Sequence, residues 1–156
     1  MSASIPTLFE WIGGLATLDR LTDNFYRKVK ADALLGPVFA RMDAHHPQYV
    51  ARFIAEVFGG PSDYSTQRGG HAQMIRQHVE RRLDEAKRQR WIALLLETAD
   101  EIGVAHDPEF RSAFVAYIEW GTRIAVINSQ PGAEVQADQP MPRWGWGEVK
   151  GPYTGA

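Results

Sequence analysis

Apolar residues recur along most of the chain at the spacing of amphipathic helices, and no stretch alternates convincingly as a strand does. The clearest stripe follows Pro47, a residue that the first turn of a helix tolerates. Its members, at positions i, i+3, i+4, i+7 and i+8, are Val50, Phe53, Ile54, Val57 and Phe58. Similar stripes lie within residues 18–29, 91–102 and 110–125. The pattern predicts one all-α domain of about five or six helices.

Capping signals and glycine pairs mark the predicted helix ends. Thr7 and Glu10 fit a capping box for a short first helix, which the pair Gly13-Gly14 would end. Further N-caps are predicted at Thr17, Asp84 and Asp107. Between the helices we expect an irregular connection over residues 31–46, a polar loop over 61–70 and a short helix over about 71–82.

The composition changes after residue 128. Residues 129–156 are rich in proline and glycine and contain Trp144 and Trp146. We expect part of this segment to pack on the helices, because two indoles are costly to leave in water. The chain is therefore predicted to form a helical domain over residues 1–128, followed by an irregular extension over 129–156.

Composition and charge narrow the possible chemistry. The sequence has no cysteine, so disulfides, thiolate catalysis, zinc fingers and iron–sulfur clusters are excluded. The formal net charge of −2 gives no support to a nucleic-acid partner. There is no signal-peptide pattern and no apolar run of about 18 residues, so we expect a cytoplasmic protein that does not contact a membrane.

Histidine is the strongest metal ligand available to this chain. His46 lies at the edge of the stripe that begins at Val50, and it would face the same interior. His71 and His78 would share a helix face on a segment with few apolar residues, which a metal bond from His78 would help to hold. Spacing alone does not assign either histidine to a metal site. The alternative for His46 is an ordinary histidine of the first helical turn, and the alternative for His78 is an incidental histidine.

Three motifs, in order, resemble the second group of truncated haemoglobins. These are FEWIGGLATLDRLTDNFYRKV at 9–29, EVFGGPSDYS at 56–65, and GGHAQMIRQH at 69–78, which Trp91 follows thirteen residues later. The resemblance covers residues 5 to about 128. It implies a truncated globin fold, a two-over-two helical sandwich around haem b. The extension after residue 128 has no counterpart in the resemblance.

The resemblance also implies roles for individual residues. His78 matches the proximal iron ligand, Tyr26 the distal tyrosine, and Phe39 the aromatic ring that stacks on the haem. His46 and Trp91 join Tyr26 as donors on the distal side. The haem walls and edge would be formed by Val50, Phe53, Ile54, Phe58, Tyr64, Arg68, His71, Met74, Ile75 and Tyr117. Arg68, Arg76 or Tyr64 would meet the propionates.

These assignments predict a protein that binds oxygen and other small ligands (nitric oxide, peroxide, cyanide) at five-coordinate iron. Three distal donors predict slow oxygen release, and they would also suit a peroxidase-like or nitric oxide dioxygenase-like oxidoreductase served by a separate reductase. Direct iron ligation by His46 stays open, and so does a monomer or a homodimer. The alternatives are a haem-free globin-like interaction or sensor module and, from the locally basic residues 76–90, a helix-turn-helix nucleic-acid binder.

Overall fold

A computed structural model describes residues 4–70, 78, 81–134 and 140–155. These residues form six α-helices and no strand, which confirms the all-α prediction. The helices are α1 (Leu8–Ile12), α2 (Gly14–Ala31), α3 (His46–Val57), α4 (Asp63–Arg68), α5 (Glu85–Ile102) and α6 (Pro108–Asn128). A 3₁₀ turn follows at Gly147–Val149. No helix of the described ranges is both long and apolar enough to cross a membrane.

The first two helices follow each other without a linker. The capping box is confirmed: the Thr7 hydroxyl accepts from the backbone N–H of Glu10, and the Glu10 carboxylate accepts from that of Thr7. Gly13 has a φ of 108°, a left-handed conformation that suits glycine. The predicted cap at Thr17 is wrong. Because the chain turns at Gly13, α2 already begins at Gly14, and the Thr17 hydroxyl donates to the Gly13 carbonyl inside the helix.

Two other predicted boundaries need correction. The polar loop over 61–70 contains α4, since the carboxylate of Glu56 accepts from the Ser65 backbone N–H at 2.8 Å and from its hydroxyl. The helix predicted over 71–82 falls mostly outside the described residues, and its last residues, Arg81 and Arg82, are not helical. Arg82 has a positive φ of 53°, which an α-helix does not allow.

Both aspartate caps of the long helices are confirmed. The Asp84 carboxylate accepts from the backbone N–H of Lys87 at the start of α5. The Asp107 carboxylate accepts from the backbone N–H of Phe110 at the start of α6. Each cap satisfies a first-turn donor that has no partner inside the helix. The predicted end of the last helix at Asn128 is also confirmed.

The core lies where α2 packs on α3 and α5, and α5 packs on α6. Its fully buried rings include Phe25, Phe58, Phe110 and Phe114. Residues 140–155, here called the tail, run back over this core. Trp144 and Trp146 are partly buried against it, as their size and apolarity predict. The tail is also bonded to the N-terminal region, because the Trp146 indole donates to the Pro6 carbonyl at 2.7 Å.

Candidate cofactor cavity

A cavity of about 410 Å³ lies among the helices and the connection that precedes α3. Its walls combine aliphatic and aromatic side chains with a few polar groups, the usual make-up of a site for an organic cofactor. Most of the residues selected from the sequence line it together. They are Tyr26, Phe39, His46, Val50, Phe53, Ile54, Tyr64, Arg68, His78, Trp91 and Tyr117.

The remaining selected residues lie elsewhere. Phe58 is not among the residues that line the cavity, and its role as a cofactor contact stays a prediction. It follows the last residue of α3, and its ring packs 5.6 Å from that of Tyr117 and 6.2 Å from that of Phe114, which places it behind the wall. His71, Met74 and Ile75 lie outside the described residues, as does Arg76, the third propionate candidate.

Three polar side chains from three separate elements meet at one part of the cavity. Nε2 of His46, at the start of α3, lies 3.1 Å from the hydroxyl of Tyr26 on α2. The indole of Trp91, on α5, lies close enough to Tyr26 to affect the pKa of its hydroxyl. The ring of Phe25 packs edge-on against both Tyr26 and Trp91, at 4.7 and 4.8 Å between ring centres. The Phe25 ring therefore fixes the distance between Tyr26 and Trp91.

Burial decides the protonation of this cluster. It raises the pKa of Tyr26 above the ordinary value of a phenol, and the nearby Trp91 indole offsets only part of the effect. Burial also lowers the pKa of His46 to about 4. Charged neighbours contribute to the His46 shift: His78, Arg81 and Arg68 lower the pKa, and Asp43 raises it. At neutral pH the cluster is a protonated phenol beside a neutral imidazole.

A second polar feature surrounds Arg68, at the end of α4. Its guanidinium lies 3.7 Å from the centre of the Tyr49 ring. Burial raises the pKa of Tyr64, and the nearby charge of Arg68 partly offsets that effect. The buried Nε of Arg68 has no hydrogen-bond partner among the residues that the structure describes. An unpaired buried N–H of a charged group is costly, so this atom calls for an acceptor that the described residues do not supply. A carboxylate is the acceptor that a guanidinium binds best.

Several residues that line the cavity were not predicted from the sequence, among them Met42, Tyr49, Arg81 and Trp120. Trp120 had a usable signal, because it follows Tyr117 by three residues and so shares its helix face. Tyr49 lies one residue before the apolar stripe of α3 and had no such signal. It reaches the cavity edge because Arg68 stacks on its ring.

Comparison with known proteins identifies the fold as that of a globin. The model of a family described as bacterial-like globins matches residues 7–120. The chain belongs to this family. It is similar to a crystal structure of the haemoglobin of the thermophilic phototrophic bacterium Chloroflexus aurantiacus, with 32% identity and a TM-score of 0.68. That match covers 77% of this chain and 97% of the other.

Curated relatives narrow the class to the truncated haemoglobins. The group 2 truncated haemoglobin of Bacillus subtilis (strain 168) is 26% identical over 130 residues, which are 83% of this chain and 96% of that protein. A group 1 truncated haemoglobin of Nostoc commune is 34% identical over 61 residues, 38% of this chain. That match spans about half of the Nostoc protein, 52% of its length. This chain is thus a truncated haemoglobin with relatives in both groups.

Membership of this family implies a haem cofactor. The residues present fit haem on two counts. The cavity has apolar and aromatic walls for a flat ring system and includes His78, whose imidazole is a ligand that iron accepts. The unpaired Nε of Arg68 is suited to a propionate carboxylate.

Proposed function

We propose that the cavity binds haem b, with His78 as the proximal iron ligand. When bound, haem supplies an iron atom that takes up small ligands such as oxygen. The observation that carries the proposal is that His78 lines the same cavity as the hydrogen-bonded pair of Tyr26 and His46. One cavity thus offers a potential iron ligand and a separate group of polar side chains for the incoming ligand.

The roles of the polar side chains follow from their chemistry. The Trp91 indole can only donate, and the protonated Tyr26 hydroxyl can both donate and accept. We propose that these groups, with the neutral imidazole of His46, donate to a ligand that carries partial negative charge. Tyr26 lies next to both His46 and Trp91 and is therefore the central residue of the three. Such donors slow the release of the ligand, because leaving breaks the hydrogen bonds.

Two finer assignments belong to the same proposal. We expect the iron to have His78 as its only protein ligand before a small ligand binds, since Nε2 of His46 is already engaged with Tyr26. We also assign the chain to the second group of truncated haemoglobins. This assignment is supported by the three ordered motifs and by the match to the Bacillus subtilis protein, which covers far more of the chain than the group 1 match.

The test is an absorption spectrum of the purified, haem-reconstituted chain in its ferric and ferrous forms. We expect a Soret band that is lost or strongly altered in His78→Ala. His106→Ala is the matched control, because His106 is exposed beside α6 and does not line the cavity. A wild-type chain without a Soret band would support the haem-free interaction or sensor module. A bis-histidine spectrum would contradict the single protein ligand.

A redox activity toward peroxide is the second candidate function. It is favoured by the neutral imidazole of His46, which can take a proton from a peroxide held next to it. Turnover would need electrons from a separate reductase or a small reductant. Peroxide-dependent oxidation of a dye by the haem-loaded chain tests this candidate, and His46→Gln should lower the rate. An unchanged rate in that variant would remove His46 from the proposed role.

A further inference from the structure

The tail contacts the C-terminal end of α3. The Arg143 guanidinium donates to the Glu56 carbonyl at 2.8 Å, and the Trp144 backbone N–H donates to the Val57 carbonyl at 2.9 Å. Carbonyls in the last turn of a helix have no partner inside the helix, so these bonds cap α3 from outside. The same helix carries His46 and other residues of the cavity wall.

Arg143 also lies beside a buried negative charge. Glu56 is only 1% exposed, and Nη2 of Arg143 lies 4.0 Å from its Oε2. A buried carboxylate is costly unless hydrogen bonds and a positive charge stabilise it. Here Ser65 supplies the hydrogen bonds, from its backbone N–H and its hydroxyl, and Arg143 supplies the charge. Since Ser65 belongs to α4, this chain of contacts connects the tail to the helix that carries Arg68.

The next tail residue packs against a different wall. The Trp144 ring lies 5.4 Å from the ring of Tyr117 and 5.7 Å from that of Trp120, measured between ring centres. Both partners belong to α6 and line the cavity. Trp146 makes a useful contrast. It packs on Trp11 and Phe110, neither of which lines the cavity.

We propose that the tail is a positioning element of the haem site, acting through Arg143 and Trp144. Arg143 holds α3 and α4 through Glu56. Trp144 packs directly on the rings of Tyr117 and Trp120 on α6, here called the aromatic wall. Neither Arg143 nor Trp144 is among the residues that line the cavity, so both are expected to act through other residues and not by touching the haem. The inference rests on the proposed function for the identity of the bound group. It extends that function, because residues beyond the family match at 7–120 then control how firmly the haem is kept.

The first test compares Trp144→Ala with Trp146→Ala in the full haem-loaded chain. Both variants remove a partly buried tail indole, but only Trp144 touches cavity-lining rings. The rate of haem transfer to an excess of apomyoglobin should rise about tenfold for Trp144→Ala and stay within about twofold for Trp146→Ala. Urea unfolding of each variant corrects for general destabilisation. Equal haem loss in the two variants after that correction would overturn the proposal.

The second test measures hydrogen exchange at the Ser65 amide in Arg143→Ala and Arg143→Lys. Exchange should be about tenfold faster in Arg143→Ala, with partial rescue by lysine, while core amides of α2 keep their protection. Unchanged exchange at Ser65 would overturn the connection from the tail to α4. This readout needs no haem spectrum. A chain without a Soret band that still shows the exchange effect would refute the haem function and leave the connection standing.

Discussion

Tyr26 and Tyr117 are two phenols of one cavity in contrasting surroundings. They are 3% and 5% exposed, and burial raises the pKa of each above its ordinary value. Tyr26 lies among polar partners, with the imidazole of His46 at 3.1 Å. Tyr117 lies among aromatic rings, which belong to Phe58, Trp120 and Trp144. The same side chain therefore has a hydrogen-bonding environment on α2 and a packing environment on α6.

The difference separates two tasks within the site. A hydrogen-bonded phenol can respond to a polar ligand, because the ligand competes for the same donors and acceptors. A phenol packed among rings contributes shape and buried area, which hold an apolar cofactor in place. We therefore expect changes around Tyr26 to alter the kinetics of the small ligand, and changes around Tyr117 to alter stability and haem retention.

The largest effect is expected from Phe58→Ala, behind the aromatic wall. Phe58 is fully buried, and its ring contacts Phe110, Phe114 and Tyr117. Truncation of a buried ring to alanine leaves a cavity and should lower the free energy of unfolding by about 3–5 kcal/mol. Urea unfolding measures this loss. The rate of oxygen dissociation from the remaining folded protein should stay close to that of the wild type. A large change would show that the aromatic wall and the polar cluster around Tyr26 are not independent.

The next largest effect is expected from Tyr26→Phe, with Tyr117→Phe as the matched control. Loss of the Tyr26 hydroxyl removes the hydrogen bond that we propose it donates to the ligand, and it should raise the oxygen dissociation rate by about 5- to 150-fold, or roughly 1–3 kcal/mol. Trp91→Phe should act in the same direction. Stopped-flow mixing of the oxygenated protein with carbon monoxide gives these rates. If Tyr117→Phe accelerated release as much as Tyr26→Phe, the division of tasks would be wrong.

Acid should lower the free energy of unfolding through His46, one of the polar side chains around Tyr26. The pKa of His46 is lowered to about 4 in the folded chain, whereas an unfolded histidine has its ordinary value of 6.5. Between these values the unfolded chain binds a proton that the folded chain does not. The contribution of this group to stability is therefore complete above about pH 6.5 and is lost as the pH falls toward 4.

The measurement is urea unfolding of the wild type and His46→Gln between pH 4.5 and 7 (about the window of the pKa shift). Glutamine keeps a polar side chain but cannot titrate. The free energy of unfolding should fall less steeply with acid in the variant than in the wild type. Equal slopes would mean that His46 is not held neutral by its surroundings.

The smallest effects are expected at the two aspartate caps. Asp84→Ala should lower the free energy of unfolding by about 1 kcal/mol, the usual cost of losing an N-cap. Asp107→Ala should cost somewhat more, because the Asp107 carboxylate also accepts from the backbone N–H of Tyr153 in the tail at 3.0 Å. Urea unfolding compares the two. Identical losses would indicate that the bond to Tyr153 contributes nothing to stability.

Much of the fold was predictable because its signals are local. The capping box at Thr7, the caps at Asp84 and Asp107 and the apolar stripe of α3 each depend on residues within two or three turns of one another. Two errors have a different origin. Thr17 is a good cap by composition, but Gly13 had already turned the chain. The short helix α4 depends on a carboxylate that lies before it in the chain, at Glu56.

The candidate site was predictable to the extent that its motifs resemble a known family. The resemblance selected Tyr26, His46, Trp91 and His78, and the structure brings all four to one cavity. It offered nothing for the tail, which lies beyond the resembling residues. Arg143 had no signal in the sequence, and Trp144 was predicted only to pack somewhere on the helices, since their partners are distant residues of α3 and α6.

The sequence by itself determined the helical class, most helix ends and the apolar face of α3, because periodicity and capping act between near neighbours in the chain. Only the tertiary structure decided which polar groups meet. The Tyr26–His46 bond spans 20 residues and the Arg143–Glu56 bond spans 87. Such pairs form where separate helices converge, and burial at that point then sets their protonation. Neither the convergence nor the burial is encoded in any one segment.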